Sequence, residues 1–210
     1  EKAVAIAVNA RMQNAGQSCI AAKRFLVHEN IVEEFVAKLK VAIQNLKTGN
    51  PFDKEMQIGS LARVDLAEEL EAQVQKSIQM GAKLIVGGNR KEAFYEPTIL
   101  TNVTTEMPVF KEETFGPVAA IITFKTIEEA IKLSNQSEFG LGVSIFTQDI
   151  DFIKTKISAF NEGAVFINDM VKSDPRLPFG GKKKSGYGRE LAEDGIKEFV
   201  NVKTVVINTF

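Results

Sequence analysis

Apolar residues recur along this chain at two spacings, and each spacing predicts a different element. Over residues 2–13, Val4, Ala5, Val8 and Met12 return at three- and four-residue steps, which predicts a helix. Phe25-Leu26-Val27 at the centre of 22–28 predicts a short strand. Ile31, Phe35, Leu39, Ala42, Ile43 and Leu46 lay one apolar face along a helix over 31–46, with Asn30 placed to cap its start and Gly49-Asn50-Pro51 to end it. A third helix, rich in Glu, Gln and Ala, is predicted over 61–80, where Gly81 stops it. Residues 83–86 followed by Gly87-Gly88 read as strand and turn, and 95–100 as an extended segment broken by Pro97.

From Val118 the pattern alternates. Strands are predicted over 118–124, 142–147 and 163–168, with helices between them over 126–135 and 149–157. Thr126 with Glu129 three positions on forms a capping box. Strands alternating with helices predict an α/β fold, a largely parallel sheet flanked by helices. The run over 203–208 (Lys203 to Asn208) stands apart as a lone apolar strand near the chain end, expected to pair with another sheet in the same chain or in a neighbour.

Composition narrows the function classes. The 210 residues carry 26 basic and 27 acidic side chains, a net charge of -1, so the long-range field is weak and neither nucleic acid nor an anionic membrane is an expected partner. No apolar run is long enough to span a bilayer. The single cysteine suits a reducing, cytoplasmic setting. One histidine and one cysteine fall short of the four ligands of a structural zinc site, so no metal is expected. The sequence lacks an initiator methionine and opens inside an apparent helix, and the expectation is a piece of a longer protein.

Three segments carry candidate chemistry. Asn14-Ala15-Gly16-Gln17-Ser18-Cys19-Ile20 is a short loop of small residues around the only cysteine, where Gly16 allows close backbone approach. Cys19 is either a buried inert thiol or a nucleophile. Lys111-Glu112-Glu113-Thr114-Phe115-Gly116-Pro117 sets two carboxylates before a Gly-Pro turn, either a solvated pair or an acceptor for ribose hydroxyls. Pro178-Phe179-Gly180-Gly181 with Ser185-Gly186-Tyr187-Gly188-Arg189-Glu190 places four glycines among basic residues, either a phosphate cradle or an ordered connection. A cysteine hydrolase pairing Cys19 with His28 fails on distance, because a predicted seven-residue strand holds them roughly 20 Å apart. His28 is instead expected at the surface or as a cap.

In this order the three segments resemble the aldehyde dehydrogenase superfamily: its nucleophile loop, its cofactor-ribose motif and its C-terminal signature. The stretch Met170-Val171-Lys172-Ser173-Asp174-Pro175-Arg176-Leu177 is similar to the bacterial succinate-semialdehyde dehydrogenase branch. The resemblance implies a cysteine-bearing catalytic domain over 1–200 and an oligomerisation strand over 201–210. A dinucleotide-binding domain, the general-base glutamate and the oxyanion asparagine then lie outside this chain. It implies NAD or NADP as cofactor, a small aldehyde as substrate, and a homo-oligomer, dimer or tetramer. Cys19 becomes the nucleophile that forms a thiohemiacetal and then a thioester. Glu113 becomes the holder of the nicotinamide ribose, and Phe115 a neighbour of the nicotinamide. Ser18, Ile20 and Phe179 line the substrate tunnel. Ser173 or Arg176 is expected to bind the distal carboxylate of succinate semialdehyde, the alternative being that Arg176 pairs with Asp174 or faces water. Two positions depart from the family pattern: Met12 stands where an aromatic is commoner, and Gln13 is neutral where some relatives carry arginine. With half the machinery elsewhere, the isolated chain is expected not to oxidise aldehydes.

Overall fold

The computed structural model describes residues 1–210. The first half runs α1 (Lys2–Met12), β1 (Arg24–His28), α2 (Val32–Gln44), α3 (Val64–Gln79), β2 (Lys83–Val86), the hairpin strands β3 (Arg90–Lys91) and β4 (Phe94–Tyr95), and β5 (Thr98–Thr101). It continues with α4 (Pro108–Lys111), β6 (Val118–Phe124), α5 (Ile127–Asn135), β7 (Phe139–Gly140), β8 (Gly142–Ile145), α6 (Ile150–Lys154), β9 (Ala164–Ile167), β10 (Lys182–Lys183) and α7 (Ala192–Lys197).

A four-stranded sheet in the order β1-β6-β5-β2 forms the centre. β1, β6 and β5 are parallel, and β2 closes one edge antiparallel to β5. Every residue of β6 from Val118 to Ile122 is buried. A run without alternation needs apolar cover on both faces of the strand. The cover comes partly from Leu39 and Ile43 of α2 and from Ala67, Leu70 and Val74 of α3, which join Ile99, Leu100 and Val118 in one core cluster.

The α/β class and most elements match the hydrophobic pattern. Thr126 caps α5 by accepting from the Glu129 N–H at 3.2 Å, while the Glu129 carboxylate takes the Lys125 N–H at 2.8 Å, one residue before the cap. Asp149 caps α6 through the Phe152 N–H at 2.9 Å.

Several boundaries differ for local reasons. Asn30 does not cap α2; its N–H donates to His28 Nδ1 at 3.2 Å, and Ile31 is the cap residue. His28 also bonds the Lys125 carbonyl through Nε2 at 3.0 Å, so it fastens the turn after β1. α2 stops at Gln44, well before Gly49, because the chain then bridges to buried Ile58. α3 starts at Val64 rather than Leu61, whose N–H donates to the Ala93 carbonyl at 2.9 Å. The helix expected over 149–157 ends at Lys154, and a short 3-10 turn, Ile157–Ala159, follows it.

Two larger features were not predicted. β8 and β9 are parallel but form their own two-stranded sheet, and all their residues are only half-buried. Residues 201–210 form no strand: the apolar tail runs exposed, with Val202 96% and Ile207 82% exposed. An extended segment without a partner has no ladder to define it, so the strand expected over 203–208 finds no sheet in this chain. No helix is long and apolar enough to cross a membrane.

Candidate active site

The cysteine loop begins where α1 fails to continue. After Met12 the chain enters a tight turn, Gln13–Gly16, in which Asn14, Ala15 and Gly16 take φ of 51°, 53° and 77°. Asparagine tolerates this left-handed region through short local hydrogen bonds. Asn14 Nδ2 donates to the Gln17 carbonyl at 3.0 Å, and Gln17 Nε2 returns a bond to the Asn14 carbonyl at 3.1 Å. Gln17 Oε1 then accepts the Ala62 N–H at 2.8 Å, which moors the loop to the segment before α3.

Gly16 is required by contact as well as by conformation. A Cβ there would sit 2.2 Å from the carbonyl oxygen of Gly116. The cysteine loop and the Glu113 motif therefore meet backbone against backbone. Gly116 is itself confined, since a Cβ on it would lie 2.3 Å from Leu70 Cδ2 of α3.

Cys19 is exposed on this loop, and its thiol is free. Its backbone N–H donates to no acceptor in the chain. The Ser18, Cys19 and Ala21 carbonyls all accept from Lys23 Nζ, at 2.9, 3.2 and 3.0 Å. The same Nζ lies 3.1 Å from Glu113 Oε1 and 5.6 Å from the centre of the Phe115 ring. Lys23 thus gathers Cys19, Glu113 and Phe115 at one place. Burial pushes its ammonium below the usual lysine value, Arg11 adds repulsion, and Glu113 opposes both.

The two adjacent carboxylates part company here. Glu112 is held by Gln73 of α3 at 2.9 Å, whereas Glu113 turns to Lys23. Glu113 is 38% exposed and Phe115 40%, so both present polar and aromatic surface outward beside the loop. An outward carboxylate with a free Oε2 accepts from a ribose diol, and the exposed ring beside it fits a flat heterocycle.

Beneath them lies Arg11 of α1, with no solvent exposure. Its Nη2 donates to the Gly16 carbonyl at 2.7 Å, while Nε and Nη1 find no partner. Burial pushes the guanidinium down to about 10, opposed by the Glu113 charge, so it stays charged at neutral pH. Sequence reasoning assigned no role to Lys23 or Arg11. The available signals were a lysine four positions after the cysteine and an arginine among the apolar residues of α1.

The expected substrate residues fall in two regions, Ser18 and Ile20 on the cysteine loop and Ser173, Arg176 and Phe179 on a distant segment. Ser18 and Ile20 flank Cys19 and are half-buried. Ser173 is exposed. Arg176 is 85% exposed and grips Asp174 through Nε at 3.0 Å and Nη2 at 2.7 Å. This is the ion pair weighed as the alternative, and it holds the Asp174 carboxyl well below the usual carboxylate range. Phe179 pairs its backbone with Glu190 and lines a cavity of about 450 Å³ with Phe166, Ile167, Lys172, Asp174 and Leu177. No hydrogen bond or ion pair joins Ser18, Cys19 or Ile20 to Ser173, Arg176 or Phe179. Asn9 Nδ2 of α1 donates to Met170 Sδ at 3.4 Å, just before the Ser173 segment.

The glycine-rich segment is an ordered connection. A Cβ on Gly163 would fall 1.9 Å from the Gly180 carbonyl oxygen. Arg189 Nη1 donates to the carbonyls of Gly181 and Gly188, and Lys183 Nζ caps the end of α5 at the Asn135 and Ser137 carbonyls, 2.8 and 2.9 Å. Lys184 pairs with Glu138, so three of the segment's cations, Lys183, Lys184 and Arg189, tie it to the rest of the fold.

The site is an exposed loop cysteine set beside a carboxylate-aromatic motif on an α/β fold. The chain belongs to the aldehyde dehydrogenase family, whose model matches residues 1–205. It is 48% identical over 208 residues to the NAD(P)+ succinate semialdehyde dehydrogenase Sad of Escherichia coli K12, covering 98% of this chain and 45% of that protein. It is 49% identical over 210 residues to a probable NADP+ succinate-semialdehyde dehydrogenase of Synechocystis, covering 99% of this chain and 46% of that protein. Among solved structures, succinate-semialdehyde dehydrogenase from Burkholderia pseudomallei superposes with a TM-score of 0.91 at 37% identity, covering 94% of this chain and 42% of the other. Glyceraldehyde-3-phosphate dehydrogenase GapN from Methanocaldococcus jannaschii, complexed with NADP, gives 0.94 at 38% identity, covering 99% and 45%. The chain spans less than half the length of each of these relatives.

Proposed function

We propose that this chain is the cysteine-bearing half of an NAD(P)-dependent aldehyde dehydrogenase that oxidises succinate semialdehyde to the acid. The convergence of Cys19, Glu113 and Phe115 on Lys23 carries the reading of the site. Identity of 48–49% to the two succinate-semialdehyde dehydrogenases supports the substrate.

In this reading the Cys19 thiolate attacks the aldehyde carbon, and a thiohemiacetal forms on its sulfur. The unpartnered Cys19 N–H supplies one donor to the developing oxyanion. NAD(P)+ held by Glu113 and Phe115 would supply the hydride acceptor for that carbon. Cys19 is left as a thioester, which water hydrolyses to acid and free thiol. Glu113 would hold the nicotinamide ribose through its carboxylate, and Phe115 would pack beside the nicotinamide and help position it. Ser18, Ile20 and Phe179 border the aldehyde. Arg176 keeps guanidinium donors beyond the two that Asp174 occupies, and Arg176 or Ser173 receives the distal carboxylate. The general base and a second oxyanion donor come from the other half, so the isolated chain is inactive. The enzyme works in the cytoplasm as a dimer or tetramer, its apolar tail over 201–210 pairing between subunits; a strictly monomeric mass for the two-half enzyme removes that assignment.

The test joins this chain to its dinucleotide-binding half and follows nicotinamide reduction with succinate semialdehyde and with butanal. The expected result is a strong preference for the acid aldehyde, and a KM that Arg176→Ala raises for that substrate alone. Equal effects of Arg176→Ala on both aldehydes would leave the loop without a substrate role. Turnover by the isolated chain would refute the two-half reading.

A further inference from the structure

Lys23 bonds to both sides of the site, and its geometry leaves it no freedom. A lysine ammonium carries three protons. Here it faces four acceptors, the three loop carbonyls at 2.9, 3.2 and 3.0 Å and Glu113 Oε1 at 3.1 Å, so every proton is committed. The Lys23 side chain is only 14% exposed against 38% for Glu113, so the anchor is buried and the carboxylate it holds faces out.

We propose that Lys23 is a positioning residue that fixes the Glu113 carboxylate in its ribose-accepting orientation against the Cys19 loop, and so sets nicotinamide-cofactor affinity. The inference rests on the reading of Glu113 as the ribose holder. A carboxylate offers about four lone-pair sites. Lys23 takes one, on Oε1, and leaves Oε2 and the rest of Oε1 for two ribose hydroxyls. A half-exposed glutamate without this tie samples several rotamers, and ordering it on binding weakens affinity. The same ammonium lies 5.6 Å from the Phe115 ring centre, within cation–π range, and so holds the aromatic neighbour too. Because the loop carbonyls share that ammonium, the carboxylate is referenced directly to the backbone that carries the nucleophile. A lysine that merely stiffened the loop would affect cofactor binding equally with or without a carboxylate at 113.

The experiment is a double-mutant cycle in the two-half enzyme, reading the Kd for NADPH by fluorescence titration in wild type, Lys23→Met, Glu113→Gln and the double variant. Iodoacetamide alkylation of Cys19 is followed alongside as a report on the loop. Lys23→Met is expected to weaken NADPH about fivefold when Glu113 is present, and by less than twofold in the Glu113→Gln background. Equal weakening in both backgrounds, or less than twofold with Glu113 present while Glu113→Gln itself weakens binding, overturns the proposal. An unchanged Kd in Glu113→Gln alone overturns the ribose reading beneath it. If Lys23→Met does not fold, Lys23→Gln replaces it in the same cycle with the same expectations; it keeps an N–H donor for the carbonyls and gives up the charge at Glu113.

Discussion

Replacing Gly16 by alanine tests whether the cysteine loop is built against the Glu113 motif. Two costs add. At φ 77° an L side chain is disfavoured by roughly 1–2 kcal/mol. The new Cβ would also stand 2.2 Å from the Gly116 carbonyl oxygen and 2.7 Å from Arg11 Nη2. Neither neighbour can retreat. The Gly116 carbonyl is held by the Val118 N–H at 2.8 Å, and Arg11 is fully buried and bonded to the Gly16 carbonyl. Forcing extra volume into such packing costs typically about 1–3 kcal/mol more. Gly16→Ala should therefore lower unfolding stability by about 2–5 kcal/mol. Gly81→Ala is the control: its φ of 110° is no better suited to a side chain, yet nothing lies within 4 Å. Urea unfolding of both variants in the two-half enzyme, read from the midpoint at constant slope, separates strain from clash. Iodoacetamide alkylation of Cys19 reports whether the loop has moved. Losses that agree between the two variants within about 0.5 kcal/mol, with unchanged Cys19 reactivity, would refute the claim that Gly16 is clamped by Gly116.

Two further predictions follow from the buried cations. Arg11→Met removes a guanidinium with two unpartnered nitrogens and no ion pair, so stability should fall by no more than about 1 kcal/mol or rise. The freed Gly16 carbonyl should loosen the loop and speed Cys19 alkylation, and a loss above about 3 kcal/mol would mean the guanidinium is paired after all. Lys23 titrates below its ordinary 10.5, chiefly through burial, so the unfolded chain holds that proton more tightly. Its contribution to stability therefore rises with pH between its folded value and 10.5, while its tie to Glu113 is lost in the same interval. NADPH affinity should decline as pH climbs toward that range in wild type and stay level in Lys23→Met; parallel pH profiles would remove Lys23 from the site's charge balance.

The hydrophobic pattern alone determined the α/β class, the buried run of β6, the capped start of α5 and the turn at Gly81, because each depends on neighbours a few residues apart. The motifs around Cys19, Glu113 and Phe115 stood out only through their resemblance to a family, since residue type alone left Cys19 either an inert thiol or a nucleophile and the carboxylate pair either solvated or a ribose acceptor. What joins them was not legible. Lys23 and Glu113 are ninety residues apart in sequence, and only the packing of Gly16 on Gly116 puts their charges within 3.1 Å. The same limit governs the misses. Asn30 lost its capping role to a hydrogen bond with His28, and the split between the two sheets depends on which strand edges find partners. The apolar run over 203–208 has strand composition, but a strand exists only where a ladder of backbone partners meets it, and this chain supplies none. Sequence fixes what each segment is suited to do; only the folded chain decides which distant group it meets, because contact free energies are realised at a few ångströms and carry no trace in local spacing.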